Sequence, residues 1–213
     1  MRFVKKTMLL VVASILMTLT GCANQAVQKV DYTAFKQAQP KSLLVLPPLN
    51  DSPDVAATAS VLSVVTYPLA ESGYYVMPVS LMSETFRQNG MVNPPEIHSV
   101  SPAKLKEIFG ADAALYIKIN KYGTTYTVLN SAAVVTAEAK LVDLASGSTL
   151  WTGSASASSA ENNNNNQGGL AGALIAAIVK QIINSTTDVA HQVAGVTSSR
   201  LLTAGRPNGL LYG

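Results

Sequence analysis

The sequence holds one cysteine, two histidines and one tryptophan in 213 residues. A single cysteine excludes an intramolecular disulfide and a zinc site built on thiolates. His98 and His191 lie far apart with no His-x3-His spacing, so no metal centre is expected. There is no Gly-x-Ser-x-Gly nucleophile motif. Gly168, Gly169 and Gly172 precede a helical pattern but lack the lysine and the leading strand of a phosphate loop. They read instead as helix entry and close packing. Asp51, Asp54, Glu71, Glu96, Glu138 and Asp143 show no spacing that would mark a carboxylate pair for glycoside hydrolysis. Asp51 and Asp54 fit turn and cap roles, and Asp143 fits a strand end before a turn. His98 reads as a solvated loop residue. His191 follows Asp188 by three positions, the spacing of a surface pair on a helix. No catalytic residue and no cofactor is implied, and the chain is not expected to be an enzyme.

What is present begins at the amino terminus. Arg2, Lys5 and Lys6 precede an uncharged, mostly apolar stretch from Thr7 to Thr20. That stretch is shorter than the roughly 20 residues a spanning helix needs, and it has the form of a secretory signal. It ends in Leu19-Thr20-Gly21-Cys22, which resembles the lipobox read by lipoprotein signal peptidase. Thr20 and Gly21 are small enough to lie extended in a protease cleft. The resemblance implies a diacylglyceryl thioether on Cys22, cleavage before it, and acylation of the new amine by a fatty acid such as palmitate. Residues 1–21 are then a signal peptide. A plain secretory signal and an uncleaved anchor are the alternatives. Each buried methylene contributes roughly 0.8 kcal/mol, so three acyl chains anchor firmly without a transmembrane helix. Ala23 stands where enterobacterial lipoproteins kept in the inner membrane carry aspartate. The sorting rule of that class implies the periplasmic face of the outer membrane.

Cleavage also changes the charge. The whole chain carries a formal +3, but removing Arg2, Lys5 and Lys6 leaves twelve basic against twelve acidic residues. No Lys/Arg cluster follows Cys22, so no nucleic-acid partner is expected.

Residues 22–40 read as the lipidated cysteine and a polar tether, and 41–203 as a single α/β domain. Residues 43–49 (LLVLPPL) form a buried strand stopped by Pro47 and Pro48. Residues 55–72 follow as a helix with Val61, Leu62, Val65 and Leu69 on one face, shortened at Pro68 and ended by Gly73. Residues 74–79 read as a second strand. A helix opens at Ser80, with Glu84 placed for local capping, and stops at Asn89-Gly90. Residues 91–100, with Pro94-Pro95, read as an irregular loop. Ser101-Pro102 starts another helix, ending at Phe109-Gly110. Strand-like runs at 115–129, 131–144 and 148–158 form an antiparallel meander, with Gly147 in its hairpin turn. Residues 159–169, rich in asparagine, read as a mobile surface loop. A long or broken C-terminal helix runs from Leu170 to about Thr203, with Leu174, Ile175, Ile178, Val179, Ile182 and Ile183 as an apolar stripe. Residues 204–213 read as a loose tail. The expected fold is α/β (α+β): a mixed sheet with an antiparallel meander and helices packed on it.

The segments KSLLVLPPLNDSPDV, ADAALYIKINKYGTTY and KLVDLASGSTLWTG, then the Asn-rich loop and GGLAGALIAAIVKQI, behind a lipobox, resemble the GNA1162-like lipoproteins. The resemblance covers about Lys41 to Leu202. That family resembles in turn the amino-terminal domain of TolB, CsgG-type lipoproteins and the lipoprotein activator of a penicillin-binding protein. It implies an envelope scaffold or partner-binding domain and gives no catalytic residues.

Three functions are therefore weighed. The first is a non-enzymatic envelope assembly or regulatory lipoprotein binding another envelope protein. The second is a homo-oligomeric, CsgG-like secretion or transport subunit, for which 115–158 would be candidate membrane hairpins, although plain sheet is the favoured reading of that stretch. The third, a cell-wall hydrolase, lacks a motif. Tyr122, Tyr126 and Trp151 are candidate partner-binding residues, should register place them on an exposed face. A core position is the favoured reading of Trp151, since a lone tryptophan on a central strand is more often core.

Overall fold

The computed structural model describes residues 30–126, 131–161 and 188–213. Residues 1–21, expected to be a signal peptide, Cys22, most of the Asn-rich segment expected to be a loop, and the apolar stripe at 174–183 lie outside the described residues.

The expected tether is shorter than the composition suggested. Helix α1 (Thr33–Ala38) already belongs to the domain, because Phe35 is buried. Strand β1 (Ser42–Val45) follows, with Leu43, Leu44 and Val45 buried. Pro47 and Pro48 interrupt it, as their missing N–H groups require. Pairing resumes in β2 (Leu49–Asn50). The expected helix at 55–72 is two helices, α2 (Ala57–Val64) and α3 (Thr66–Glu71), broken at Val65. Val61, Val65 and Leu69 are buried on the expected face. Strand β3 (Tyr75–Val76) is only two residues long. Helix α4 (Val79–Gln88) has no side-chain cap; Glu84 instead pairs with Arg87 at 2.7 Å.

The loop expected at 91–100 contains a helix, α5 (Pro94–His98). Two prolines at the start of a helix are tolerated, since the first N–H groups have no intrahelical partner. Helix α6 (Pro102–Phe109) starts as expected, with the Ser101 hydroxyl accepting from the Lys104 N–H, and ends on Gly110 at φ +71°.

The long strands β4 (Ala113–Tyr126), β5 (Ser131–Asp143) and β6 (Thr149–Ser158) form the antiparallel meander. The turn between β5 and β6 has Gly147 at φ +74°, and the Asp143 carboxylate accepts from the Ser146 N–H and hydroxyl. Strands β1, β2 and β3 join in parallel, giving the order β3-β1-β4-β5-β6 with β2 also on β4. Helix α7 (Val189–Leu202) closes the described chain's helices.

Register assigns the two faces of this mixed sheet. Leu115 opposes Leu141, which opposes Trp151, and all three are buried. Helix α7 lies against β5 and β6 and also meets α2; its Thr197 hydroxyl reaches the Val135 carbonyl at 3.2 Å. On the opposite face, Leu44, Leu46 and Ala114 pack with Met82, Phe86, Ile97 and Leu105 from α4, α5 and α6. Farther along that face the row Lys118, Glu138 and Ser154 is exposed, as antiparallel sheets allow.

Asp112 fastens the start of β4 to β1. Its carboxylate accepts from the backbone N–H groups of Lys41 and Ser42 and from the Ser42 hydroxyl, and it pairs with Lys106 at 3.1 Å. Burial alone would raise its pKa. The hydrogen bonds from Ser42, Lys41 and Lys106 outweigh that and hold it at about 2. A depressed carboxylate adds stability that is present above its unfolded value, near 3.9, and lost as pH falls through about 2. Asp112→Asn should therefore cost roughly 1–2 kcal/mol at neutral pH, discounted for exposure. Urea melts should show that difference narrowing between pH 4 and pH 2.

Candidate functional site

The two described candidate aromatic side chains do not form an exposed patch. Tyr122 is 6% exposed and Trp151 3%. Both side chains turn to the face of the sheet that α7 covers, the face that register places with Leu115 and Leu141. Tyr126 is the last residue of β4, and its side chain lies outside what the structure describes. Cys22, Leu19, Thr20 and Gly21 also lie outside the described residues.

Tyr122 enters a polar cluster instead. Its hydroxyl donates to Ser60 Oγ at 2.7 Å, and Ser60 Oγ is 2.7 Å from His191 Nδ1. Burial pushes the Tyr122 hydroxyl up, and nearby Asp188 and Asp54 add to this against the opposing pull of Ser60. Tyr122 therefore stays a donor. Which of Ser60 Oγ and His191 Nδ1 is the donor depends on the imidazole tautomer. The cluster ties α2, β4 and α7 together across more than a hundred residues of sequence.

A serine beside a histidine is part of a nucleophile–base arrangement, which also needs a group that orients the imidazole. The expected Asp188–His191 side-chain pair does not supply it. The Asp188 carboxylate caps α7, accepting from the backbone N–H groups of Ala190 and His191 at 3.1 and 3.3 Å. Cap geometry wins over the surface pair because those first N–H groups have no intrahelical acceptor.

His98 is not a solvated loop residue. Its Nε2 lies 2.8 Å from the Pro47 carbonyl, which fixes it as the donor, and its ring meets Tyr116 edge-on at 5.2 Å. Burial lowers its pKa; the Pro47 contact opposes this and Lys140 adds to it. For a lowered histidine, stability is complete above the unfolded value near 6.5 and is lost as pH falls below it. His98→Gln should flatten the decline in melting temperature between pH 7 and pH 5, measured by calorimetry beside the parent chain.

Trp151 marks a second arrangement. Its Nε1 donates to the Asn208 carbonyl at 2.9 Å. Tyr32 and Tyr74 donate to the carbonyls of Gly209 and Leu211 at 2.5 and 2.6 Å. The segment expected to be a loose tail is therefore held down, with Leu210 buried. Sequence patterns missed these donors because nothing local links Tyr32 or Tyr74 to residues 208–211. The Trp151-x-Gly153 pair is the one visible signal, since a strand glycine often marks close approach.

Comparison with known proteins decides the family. The family model described as "Putative lipoprotein GNA1162-like" matches residues 30–213. The chain belongs to the GNA1162-like lipoprotein family. A lipoprotein of Neisseria meningitidis serogroup B, NMB1124/NMB1162, is 48% identical over 208 residues, covering 98% of this chain and 95% of that protein. The crystal structure of lipoprotein GNA1162 from Neisseria meningitidis is 52% identical, with a TM-score of 0.56, and covers 68% of this chain and 100% of that one. The GNA1162-like fold carries the expected mixed α/β sheet with its C-terminal helix.

Proposed function

We propose that this GNA1162-like chain is a lipid-anchored, non-enzymatic lipoprotein on the periplasmic face of the outer membrane, binding another envelope protein as an assembly or regulatory factor. The observation that carries the reading is Cys22 at the end of a basic-then-apolar leader, in a chain whose family consists of lipoproteins. Ala23 after the cysteine supports the outer membrane. The engagement of Asp188 in a helix cap supports binding over hydrolysis, because it leaves the Ser60–His191 pair without that carboxylate.

Chain length adds a constraint. Eight residues, 23–30, separate Cys22 from the start of the folded unit at Asp31. Fully extended they span at most about 30 Å. The domain therefore works close to the lipid surface, and its partner must present itself there.

Purification of the lipidated chain from its native envelope, followed by light scattering, tests this reading. One copy of the chain with one co-purifying envelope protein is expected. A stable ring of many copies with no second protein would contradict it.

A further inference from the structure

We propose that the outer edge of β6, from Thr152 to Ser156, takes up a strand of the partner envelope protein, and that a carboxylate of that strand seats on Arg206. This deepens the partner-binding reading and rests on it.

β6 ends the strand order: β5 lies on one side of it, and among the described residues no strand lies on the other. In an antiparallel pair, alternate residues turn both main-chain groups to the neighbouring strand, and the residues between turn theirs away. The Ser159 N–H bonds the Ala133 carbonyl, and the register carries that inward set through Ala157, Ala155, Gly153 and Trp151. Thr152, Ser154 and Ser156 form the outward set, and all three are exposed. One end of this edge is closed. The outward carbonyl of Ser156 accepts from Arg200 Nη1 at 2.7 Å, and the outward N–H of Ser158 donates to Glu161 Oε1 at 2.9 Å. The rest is open. The N–H and carbonyl of Thr152 and of Ser154, and the N–H of Ser156, have no hydrogen-bond partner among the described residues. Open edges are usually blunted by lysine, proline or a bulge. From Thr152 to Ser158 the strand reads Thr-Gly-Ser-Ala-Ser-Ala-Ser, without charge or proline, and its one break in register lies earlier, at Leu150. Side chains this small let another backbone approach to the roughly 4.8 Å spacing of paired strands. In strand addition main-chain bonds supply affinity, and side chains beside the edge supply selectivity.

Charge selects the occupant. Arg200, which reaches the edge at Ser156, is matched by Glu161 at 3.0 Å. Arg206 is half-buried and makes no ion pair among the described residues. Burial lowers its pKa, and the Arg200 charge lies close enough to lower it further. The guanidinium fork matches a carboxylate with two parallel hydrogen bonds, so an acidic side chain on the added strand would relieve this cation. A second copy of this chain fits less well. Antiparallel pairing of two β6 strands about Ser154 would set both α7 faces on one side of the joined sheet, each bringing an unmatched Arg206. Like charges gathered in this way oppose pairing. A strand of another protein that carries aspartate or glutamate removes the mismatch.

The test uses the full lipidated chain, purified from its native envelope as the parent and as Ser154→Pro, Arg206→Glu and Lys104→Glu. The last is a control charge reversal on α6. Proline at 154 removes an outward N–H, so the ladder to β5 stays whole. Thermal melts check that each variant folds. Recovery of the second envelope protein should fall about tenfold or more with Ser154→Pro and with Arg206→Glu, and stay level with Lys104→Glu. Deuterium uptake across residues 152–156 should slow about tenfold in the complex. A photo-crosslinking residue at position 152 of the otherwise intact chain should join a segment of the second protein that contains aspartate or glutamate. Undiminished recovery with a folded Arg206→Glu, unchanged uptake at 152–156, a joined segment without an acidic residue, or a crosslink to a second copy of this chain overturns the proposal. Should either edge variant fail to fold, exchange and crosslinking on the intact chain decide. A partner recovered equally by the parent and both edge variants sinks the edge assignment and leaves the broader binding reading standing. A parent that recovers no partner sinks both.

Discussion

Cys22→Ala should leave the full precursor unprocessed, without acyl chains and with its signal segment attached. In the proposed processing Cys22 is both the lipid acceptor and the residue before which cleavage falls, so one substitution removes both steps. The chain has no other thiol to substitute for it. The loss should be complete rather than graded, because one acyl chain already gives only marginal membrane binding and none gives nothing. Labelling with a radioactive fatty acid should drop to background. Gels should show a band heavier by the 21 residues of the leader. The domain should still fold, since the first residue of its described core is Phe35. Labelling that persists in Cys22→Ala would place the lipid elsewhere.

Gly153→Val should have the largest effect inside the domain. A Cβ at Gly153 would lie 2.2 Å from Trp151 Cζ2 and 2.5 Å from Cη2, distances real contacts do not reach. The indole lies over this α-carbon because both residues point to the same face of β6, two positions apart. A valine would push the ring away and break its bond to the Asn208 carbonyl. Overpacking costs about 1–3 kcal/mol and the lost hydrogen bond about 1 more. For a domain of this size that corresponds to a fall of roughly 5–15 °C in melting temperature. Thermal melts and tryptophan emission should report the change together. A melting temperature within about 2 °C of the parent, with unaltered emission, would mean that the ring has room the geometry denies.

Local pattern carried much of this fold. The alternation in β4, β5 and β6 was legible because one face is buried and period-2 burial leaves a period-2 sequence. Ser101-Pro102 and Gly110 marked both ends of α6 through cap chemistry alone. The misreadings share a different cause. Pro94-Pro95 looked like a loop because two prolines break a helix interior, yet at a helix start they break nothing. Residues 31–38 looked like tether because one phenylalanine, Phe35, provides the burial and has no periodic companions. The tail looked loose because its partners are Tyr32, Tyr74 and Trp151, as much as 177 residues away. Long-range contacts of that kind leave no local trace.

The candidate site divides along the same line. The Cys22 reading rests on a short linear motif, which enzymes read before any fold exists, and it lies outside the described residues. Trp151 and Tyr122 were recognisable as unusual residues, but the face each occupies depends on register. Register sends both inward, so their contribution comes through what they hold: Trp151 the segment around Asn208, and Tyr122 the Ser60–His191 junction. Tyr122 and Trp151 therefore do not form the expected exposed partner surface.

In the proposed function, lipid on Cys22 holds this domain at a membrane. The most direct measurement is the intact mass of the mature protein and of its amino-terminal peptide. The expected result is a chain starting at residue 22 and carrying a diacylglyceryl group and an N-acyl chain on that cysteine. A mature chain with an unmodified Cys22 thiol, released in soluble form, would contradict it.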